Sequence, residues 1–185
     1  MTMLQSGRRR GAGEPQPDPA SVHEVALRML GRRALSRAEV AERLGRRGFP
    51  AAVVRAELAR LERAGLLDDV ALARATCEAQ LRAGRGRRAV VVALRRRKVA
   101  REAADRALGE LDEESEEAAF ATAFAGITKK RKWWRRLPAE RQKVVRYLLA
   151  RGFSLDQVRR AMHGNGRDEP HGSQTDDAGD PPGLP

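Results

Sequence analysis

A fifteen-residue pattern occurs three times in this chain, at residues 44–58, 94–108 and 148–162, and it limits the possible folds more than any other feature. In every copy Leu stands first (Leu44, Leu94, Leu148) and Arg fourth (Arg47, Arg97, Arg151). Apolar residues stand sixth (Phe49, Val99, Phe153), eleventh (Val54, Ala104, Val158) and last (Leu58, Leu108, Met162). The first and third copies share a Gly-Phe pair, Gly48-Phe49 and Gly152-Phe153. Matches at Arg and Ala carry little weight in this composition; two Gly-Phe pairs in one slot carry more. Repetition at this period is the mark of stacked supersecondary units, and three units are about the minimum for a continuous core.

Each copy reads as the end of one helix, a break, and the start of the next. Gly48 and Gly152 suit the left-handed residue that closes a helix. Lys98 fills that slot in the second copy, which predicts a differently closed turn or a bend. Pro50 can open the helix after the first break, where a missing N–H does no harm. Ser154 with Gln157 forms a capping box after the third.

The rest of the chain extends this into three groups of three helices, an all-α fold. Residues 1–20 are rich in Gly, Pro, Arg and Gln and read as a disordered arm. Residues 21–67 form the first group: Ser21 with Glu24 and Ser36 with Glu39 are capping boxes, and a third helix spans residues 50–64 with Gly65 as its stop. Leu66 and Leu67 are expected to pack back on this group, while Asp68 or Asp69 caps the helix that follows. Residues 68–111 make the second group, with helices near 70–82, 87–98 and 101–108. Residues 112–163 make the third, where Asp112, Glu113, Glu114, Glu116 and Glu117 crowd a helix N-terminus, as the macrodipole favours. Residues 164–185 read as a disordered acidic tail.

Charge narrows the partner class. Residues 21–163 carry 33 Lys and Arg against 18 Asp and Glu, a net of +15, whereas the tail nets −4. A core so basic attracts polyanions, either nucleic acid or a protein assembled on it. Arg outnumbers Lys 32 to 5, which also fits a GC-rich coding sequence. With seven aromatic residues in all, the core must be built from Ala, Val and Leu, which suits close helix packing. No apolar run reaches membrane-spanning length and no signal-type segment opens the chain, so a soluble cytoplasmic protein is expected; it is separately expected to be a monomer. Cys77 is single, which rules out a disulfide framework and a thiolate metal site, and it reads as a small core residue.

Two basic segments are candidate contact sites. In the first, six cations flank both tryptophans: Lys129, Lys130, Arg131, Lys132, Trp133, Trp134, Arg135 and Arg136. Cations bind phosphate by releasing counterions, and indole stacks on an unpaired base. Equally, the tryptophans can pin the segment to the helices while the cations stay solvated, and both roles can hold if Trp133 and Trp134 point different ways. The second segment comprises Arg85, Arg87, Arg88, Arg95, Arg96, Arg97 and Lys98. It has no interleaved aromatic, so it is either a solvated face or a contact governed by charge and shape. The units also resemble helix-turn-helix modules, but residues 51–64 offer Arg55, Arg60 and Arg63 without Asn or Gln, which argues against reading base edges. His23, His163 and His171 are scattered, and no catalytic, phosphate-loop or dinucleotide motif is present, so no catalytic, metal or cofactor residues are assigned.

The order of these pieces resembles a known family. Leu30-x-x-Arg33-x-x-Ser36-x-x-Glu39, Leu44-x-x-x-Gly48-Phe49 and Leu61-x-x-x-Gly65-Leu66-Leu67-Asp68-Asp69 are similar to the opening of the bacterial regulatory protein RecX. Gly86-Arg87-Arg88 through Leu94 to Val99 resembles its middle, and Tyr147-Leu148-x-x-Arg151-Gly152-Phe153-Ser154 its close. The middle departs from the pattern at Ala93 and at Arg97-Lys98, and the Trp-Trp segment and the tail lie outside it. The resemblance implies three tandem three-helix repeats in an elongated, curved array. It also implies a non-enzymatic negative regulator that sits in the groove of the RecA–DNA filament and suppresses its ATPase, strand-exchange and co-protease activities in DNA repair and the SOS response. An extended concave surface suits a helical partner. Beside the RecA filament, direct contact with single- or double-stranded DNA is expected; the alternative, carried by charge and the tryptophans, is a basic DNA- or RNA-binding protein that acts without RecA.

Overall fold

The computed structural model describes residues 19–164, and those residues contain nine helices and no strand. The expectations for the arm and the acidic tail lie outside the described residues. Three helices form the first compact unit, which ends at Asp68: α1 (Pro19–Leu30), α2 (Arg37–Gly45) and α3 (Ala51–Arg63). Each packs on the other two around Val22, Ala26, Val40, Leu44, Leu58 and Leu61, all nearly free of solvent contact. Fully burying one of these Val or Leu side chains contributes on the order of 1.5–3 kcal/mol.

The caps follow the sequence closely. The Ser36 hydroxyl accepts the Glu39 N–H at 3.1 Å, and the Glu39 carboxylate accepts the Ser36 N–H at 3.1 Å. Gly65 (φ 68°) closes α3 as expected. The start of α1 differs: the helix begins at Pro19, so Ser21 stands inside the first turn rather than capping it. A proline ring already holds the helical φ, which suits the first position. The two leucines after α3 also divide. Leu67 is buried in this core, whereas Leu66 is 51% exposed; only its backbone takes part, the N–H closing the helix on Leu61 O (3.0 Å). Glu57 is the charged residue of this core, 5% exposed, and meets His23 Nδ1 at 2.7 Å, so one histidine has a structural place.

The second unit runs from Asp69 and contains α4 (Asp69–Arg82), α5 (Arg87–Arg96), α6 (Arg101–Gly109), α7 (Glu113–Lys130), α8 (Pro138–Ala150) and α9 (Leu155–Gly164). One core serves all six helices: Cys77 and Leu81 from α4, Val90 and Leu94 from α5, Ala107 from α6, Ala123 and Ile127 from α7, Val144 and Leu148 from α8, Val158 from α9. Helix α4 packs against α5, α6 and α7, and so joins the second repeat to the third. Asp69 has a longer reach than a local cap, since its carboxylate accepts the N–H of Ala100, the residue that caps α6, at 3.1 Å. Asp112 caps α7 through the Ser115 N–H (2.6 Å), and hydrogen bonding from the Ser115 side chain and then its backbone holds the Asp112 carboxyl below the usual range. Ser154 and Gln157 form the expected capping box at 2.9 and 3.1 Å. Burial pushes the Cys77 thiol above its ordinary pKa, as befits a core residue.

The three copies of the repeated pattern share one backbone turn. The N–H of Phe49 bonds to Leu44 O, that of Val99 to Leu94 O and that of Phe153 to Leu148 O, at 3.3–3.4 Å. The residue before each is left-handed: Gly48 (φ 84°), Lys98 (φ 52°) and Gly152 (φ 89°). The middle turn is therefore closed like the others, contrary to the expectation of a different closure, and Lys98 bears the strain. A non-glycine residue there costs about 1 kcal/mol or more, against an entropic cost of about 0.5–1 kcal/mol for glycine. Lys98→Gly is expected to stabilise the second unit by about 0.5 kcal/mol, a rise of roughly 2 °C in Tm. A lower Tm would show that contacts of the Lys98 side chain outweigh the strain.

Candidate filament and nucleic-acid interface

The tryptophan segment lies between α7 and α8 as a run of turns over residues 131–137. Lys129 and Lys130 end α7, where positive charge suits the helix C-terminus. The chain then reverses through Trp134 N–H to Arg131 O (3.0 Å) and Leu137 N–H to Trp133 O (2.9 Å). This geometry sends the two indoles to different places. Trp134 is 7% exposed and packs edge-on against Phe124 from α7, with ring centroids 5.4 Å apart at 80°. Phe120 and Phe124 stack at 5.8 Å, and Phe120 meets Phe153 edge-on at 5.1 Å, so the aromatic chain runs on into the repeated turn of α8. Trp133 is half-buried, with the Arg136 guanidinium 5.6 Å from its ring centre. Arg135 covers Trp134 in the same way at 5.3 Å. A guanidinium over an indole contributes about 0.5–1 kcal/mol at an exposed site.

The cations of this segment differ in freedom. Arg131 pairs with Glu140 at 3.3 Å. Lys143 also grips Glu140, and it is chiefly this bond, then the charge of Arg131, that holds the Glu140 carboxyl below its usual range. Lys129, Lys130 and Lys132 are exposed and make no ion pair among the described residues. With Trp133 they form the part of the segment that is open to a partner.

Residues 85–98 divide in a similar way. Arg87, the first residue of α5, bonds to Glu116 of α7 (2.8 Å) and to the Leu108 carbonyl at the end of α6 (2.9 Å), so it ties three helices together. Arg87 and Arg88 also border a recess of about 800 Å³ whose wall carries Glu113, Glu116 and Glu117, which balances their charge. Arg97 is half-buried at the α5 C-cap and Lys98 occupies the left-handed turn. Arg85 is exposed in the turn before α5. Helical spacing brings Arg88, Arg95 and Arg96 to one exposed side around Val92, which is 54% exposed. The structure thus gives two separate basic patches, each smaller than its segment: Lys129, Lys130, Lys132 and Trp133 in one, Arg88, Arg95 and Arg96 in the other.

One residue of the repeat has a role that its spacing did not reveal. Arg151 donates to the carbonyls of Ala83 (2.6 Å) and Gly84 (3.2 Å) in the α4–α5 turn and lies 5.0 Å from the Tyr147 ring. The two turns are further joined by Gly86 N–H to Arg151 O (2.9 Å) and Arg88 N–H to Gly152 O (3.2 Å). This contact sets the basic end of α5 against the α8–α9 turn. Among the described residues no group of three or more His, Cys, Asp and Glu side chains is placed to hold a metal ion, and no helix is long and apolar enough to cross a membrane.

Comparison with known proteins places this arrangement. Family models for the first and third three-helix domains of RecX match residues 23–61 and 116–162. The chain is 34% identical to the regulatory protein RecX of Halorhodospira halophila over 155 residues, which covers 82% of this chain and 92% of that protein. It is 35% identical to the regulatory protein RecX of Streptomyces coelicolor over 177 residues, covering 90% and 91%. A crystal structure of RecX from Lactobacillus salivarius superimposes with a TM-score of 0.68 at 16% identity, over 78% of this chain and 96% of that one. A second RecX crystal structure gives 0.66 at 21% identity, over 79% and 73%.

Proposed function

This chain belongs to the RecX family of regulatory proteins, and from that premise we propose that it is a negative regulator of the RecA recombinase. In this reading it lies, as a monomer, in the groove of the RecA–DNA filament in the cytoplasm. There it suppresses ATP hydrolysis, strand exchange and co-protease activity. The observation that carries the reading is the match to RecX proteins across most of the chain, which brings with it the regulatory role of the family. The exposed cations support it: Lys129, Lys130 and Lys132 on one patch and Arg95 and Arg96 on the other suit the acidic surface or the DNA phosphates of such a filament. The second reading, nucleic-acid binding without RecA, draws on the half-buried Trp133 beside free lysines.

One titration separates the two. ATP hydrolysis by RecA of the same organism is followed on single-stranded DNA at fixed moderate salt while this protein is added. Hydrolysis is expected to fall at protein levels far too low to coat the DNA; loss only at saturating levels would mean simple competition and favour the second reading. Lys129→Ala, Lys130→Ala and Lys132→Ala together, with Arg131 kept because it pairs with Glu140, are expected to weaken inhibition and flatten its salt dependence. Inhibition equal to that of the unaltered protein at every salt concentration would remove this segment from the mechanism.

A further inference from the structure

The first three-helix unit holds a basic site outside both of the segments above. The turn after α1 carries Arg32 and Arg33, and the end of α2 carries Arg43, Arg46 and Arg47; with Met29 these line a recess of about 470 Å³. Arg33 is neutralised by Glu39 at 2.8 Å. Arg47 donates to Met29 Sδ at 3.1 Å, a weak bond to an uncharged acceptor. Arg32, Arg43 and Arg46 make no hydrogen bond or ion pair through their side chains among the described residues. No acidic side chain lines the recess.

Helix C-termini cannot account for this concentration of charge. The ends of α1 and α2 each present roughly half a negative charge, about one in total. Five guanidinium groups less the one held by Glu39 leave four, so about three positive charges stay uncompensated. Like charges gathered in one recess repel, and an anion relieves that repulsion while its oxygens accept the guanidinium forks in pairs.

The lining also selects the class of anion. The core of a protein–protein interface is apolar and poor in charge. Here the one apolar lining residue is Met29, 8% exposed. Nucleic-acid contacts are more polar and far more positive. The lining has no Asn or Gln amide to read adenine and no aromatic ring to stack on a base; what it offers throughout is guanidinium, which pairs with phosphate oxygens on any sequence. We propose that this arginine recess is a phosphodiester-binding contact through which the first unit grips the sugar–phosphate backbone of nucleic acid irrespective of sequence.

The test contains no RecA and so stands apart from the filament reading. Binding of the full chain to a labelled oligothymidylate is followed by fluorescence anisotropy from roughly 50 to 300 mM salt. Each phosphate contact contributes about 0.7 to the slope of log affinity against log salt on a single strand, so R32A/R43A/R46A is expected to flatten that slope by about 2. The control R55A/R60A/R63A removes the same charge from exposed positions of α3 and is expected to keep the slope. An unchanged slope in a recess variant that melts at the original temperature would overturn the proposal. Equal flattening in both variants would overturn it in favour of diffuse charge. Loss of polyglutamate binding with oligonucleotide binding intact would overturn it in favour of an acidic polypeptide. If the triple variant melts early, R32Q/R46Q at two exposed positions is read instead, with an expected flattening of about 1.4.

Discussion

Gly152→Ala is expected to destabilise the second unit by about 3 kcal/mol or more, lowering its Tm by roughly 12 °C or more. Two costs add. A Cβ at Gly152 would lie 2.4 Å from the Ala89 backbone nitrogen and 2.8 Å from the Ala89 Cβ. The residue is also left-handed, at φ 89°. Gly86→Ala meets the same obstruction from the other side, its Cβ falling 2.6 Å from the Gly152 carbonyl carbon and oxygen and from the Phe153 nitrogen. Every one of those neighbours except the Ala89 Cβ is backbone, so no side chain can rotate away. Gly48 supplies the contrast. It holds the same slot of the repeat at φ 84°, but nothing lies within 4 Å of its would-be Cβ. Gly48→Ala should therefore cost the first unit the conformational part alone, about 1–2 kcal/mol. Chemical denaturation of the three variants decides the matter. Equal costs at positions 48 and 152 would mean that the two turns are not interlocked.

Trp134→Ala is expected to cost about 3–5 kcal/mol, the usual range for emptying a buried aromatic site. It removes the ring that packs on Phe124 and leaves a void in the core shared by α4–α9. Trp133→Ala should cost about 1 kcal/mol of stability, the contact with Arg136 and partial burial being its main losses. In the second reading, direct nucleic-acid binding, its effect falls instead on binding. Loss of one base–aromatic stack weakens single-strand affinity by about 1–3 kcal/mol, or at least roughly fivefold. Thermal melts and anisotropy on both variants test the division of labour. If Trp133→Ala melted as early as Trp134→Ala while binding unaltered, both indoles would be structural.

The features legible in the sequence are those fixed by neighbours a few residues away. Ser36 with Glu39 and Ser154 with Gln157 form the boxes that their spacing predicts, since a cap involves a single turn of helix. The left-handed glycines at 48, 65 and 152 follow for the same reason. Lys98 defeated that logic because the closing bond from Val99 to Leu94 fixes the backbone whatever the side chain, and tertiary packing overrides a local preference of about 1 kcal/mol. Arg151 shows the other limit. Its place in the repeat was plain, but its partners at Ala83 and Gly84 lie 68 and 67 residues away, and no period in a single sequence encodes them. The candidate site was legible as two charge runs and no further. Which cations are already engaged, Arg87 with Glu116 and Arg131 with Glu140, depends on which helices meet. The two tryptophans sit in turns rather than a helix, so helical periodicity could not assign one to the core and the other to the surface.

The single core under α4–α9 governs how this protein can be taken apart. The threefold pattern invites division into three interchangeable cassettes, to be deleted, duplicated or exchanged one at a time. The first unit fits that scheme, since its core is drawn from its own helices and ends with Leu67. The other two do not. A chain cut after Leu111 would strip Ala119, Ala123, Ile127, Val144, Leu148 and Phe153 from around Cys77, Leu81 and Val90, and would leave the Ala83 and Gly84 carbonyls without Arg151. Domain-swap and truncation experiments should therefore place their junction between Asp68 and Asp69 and keep everything beyond it as one piece.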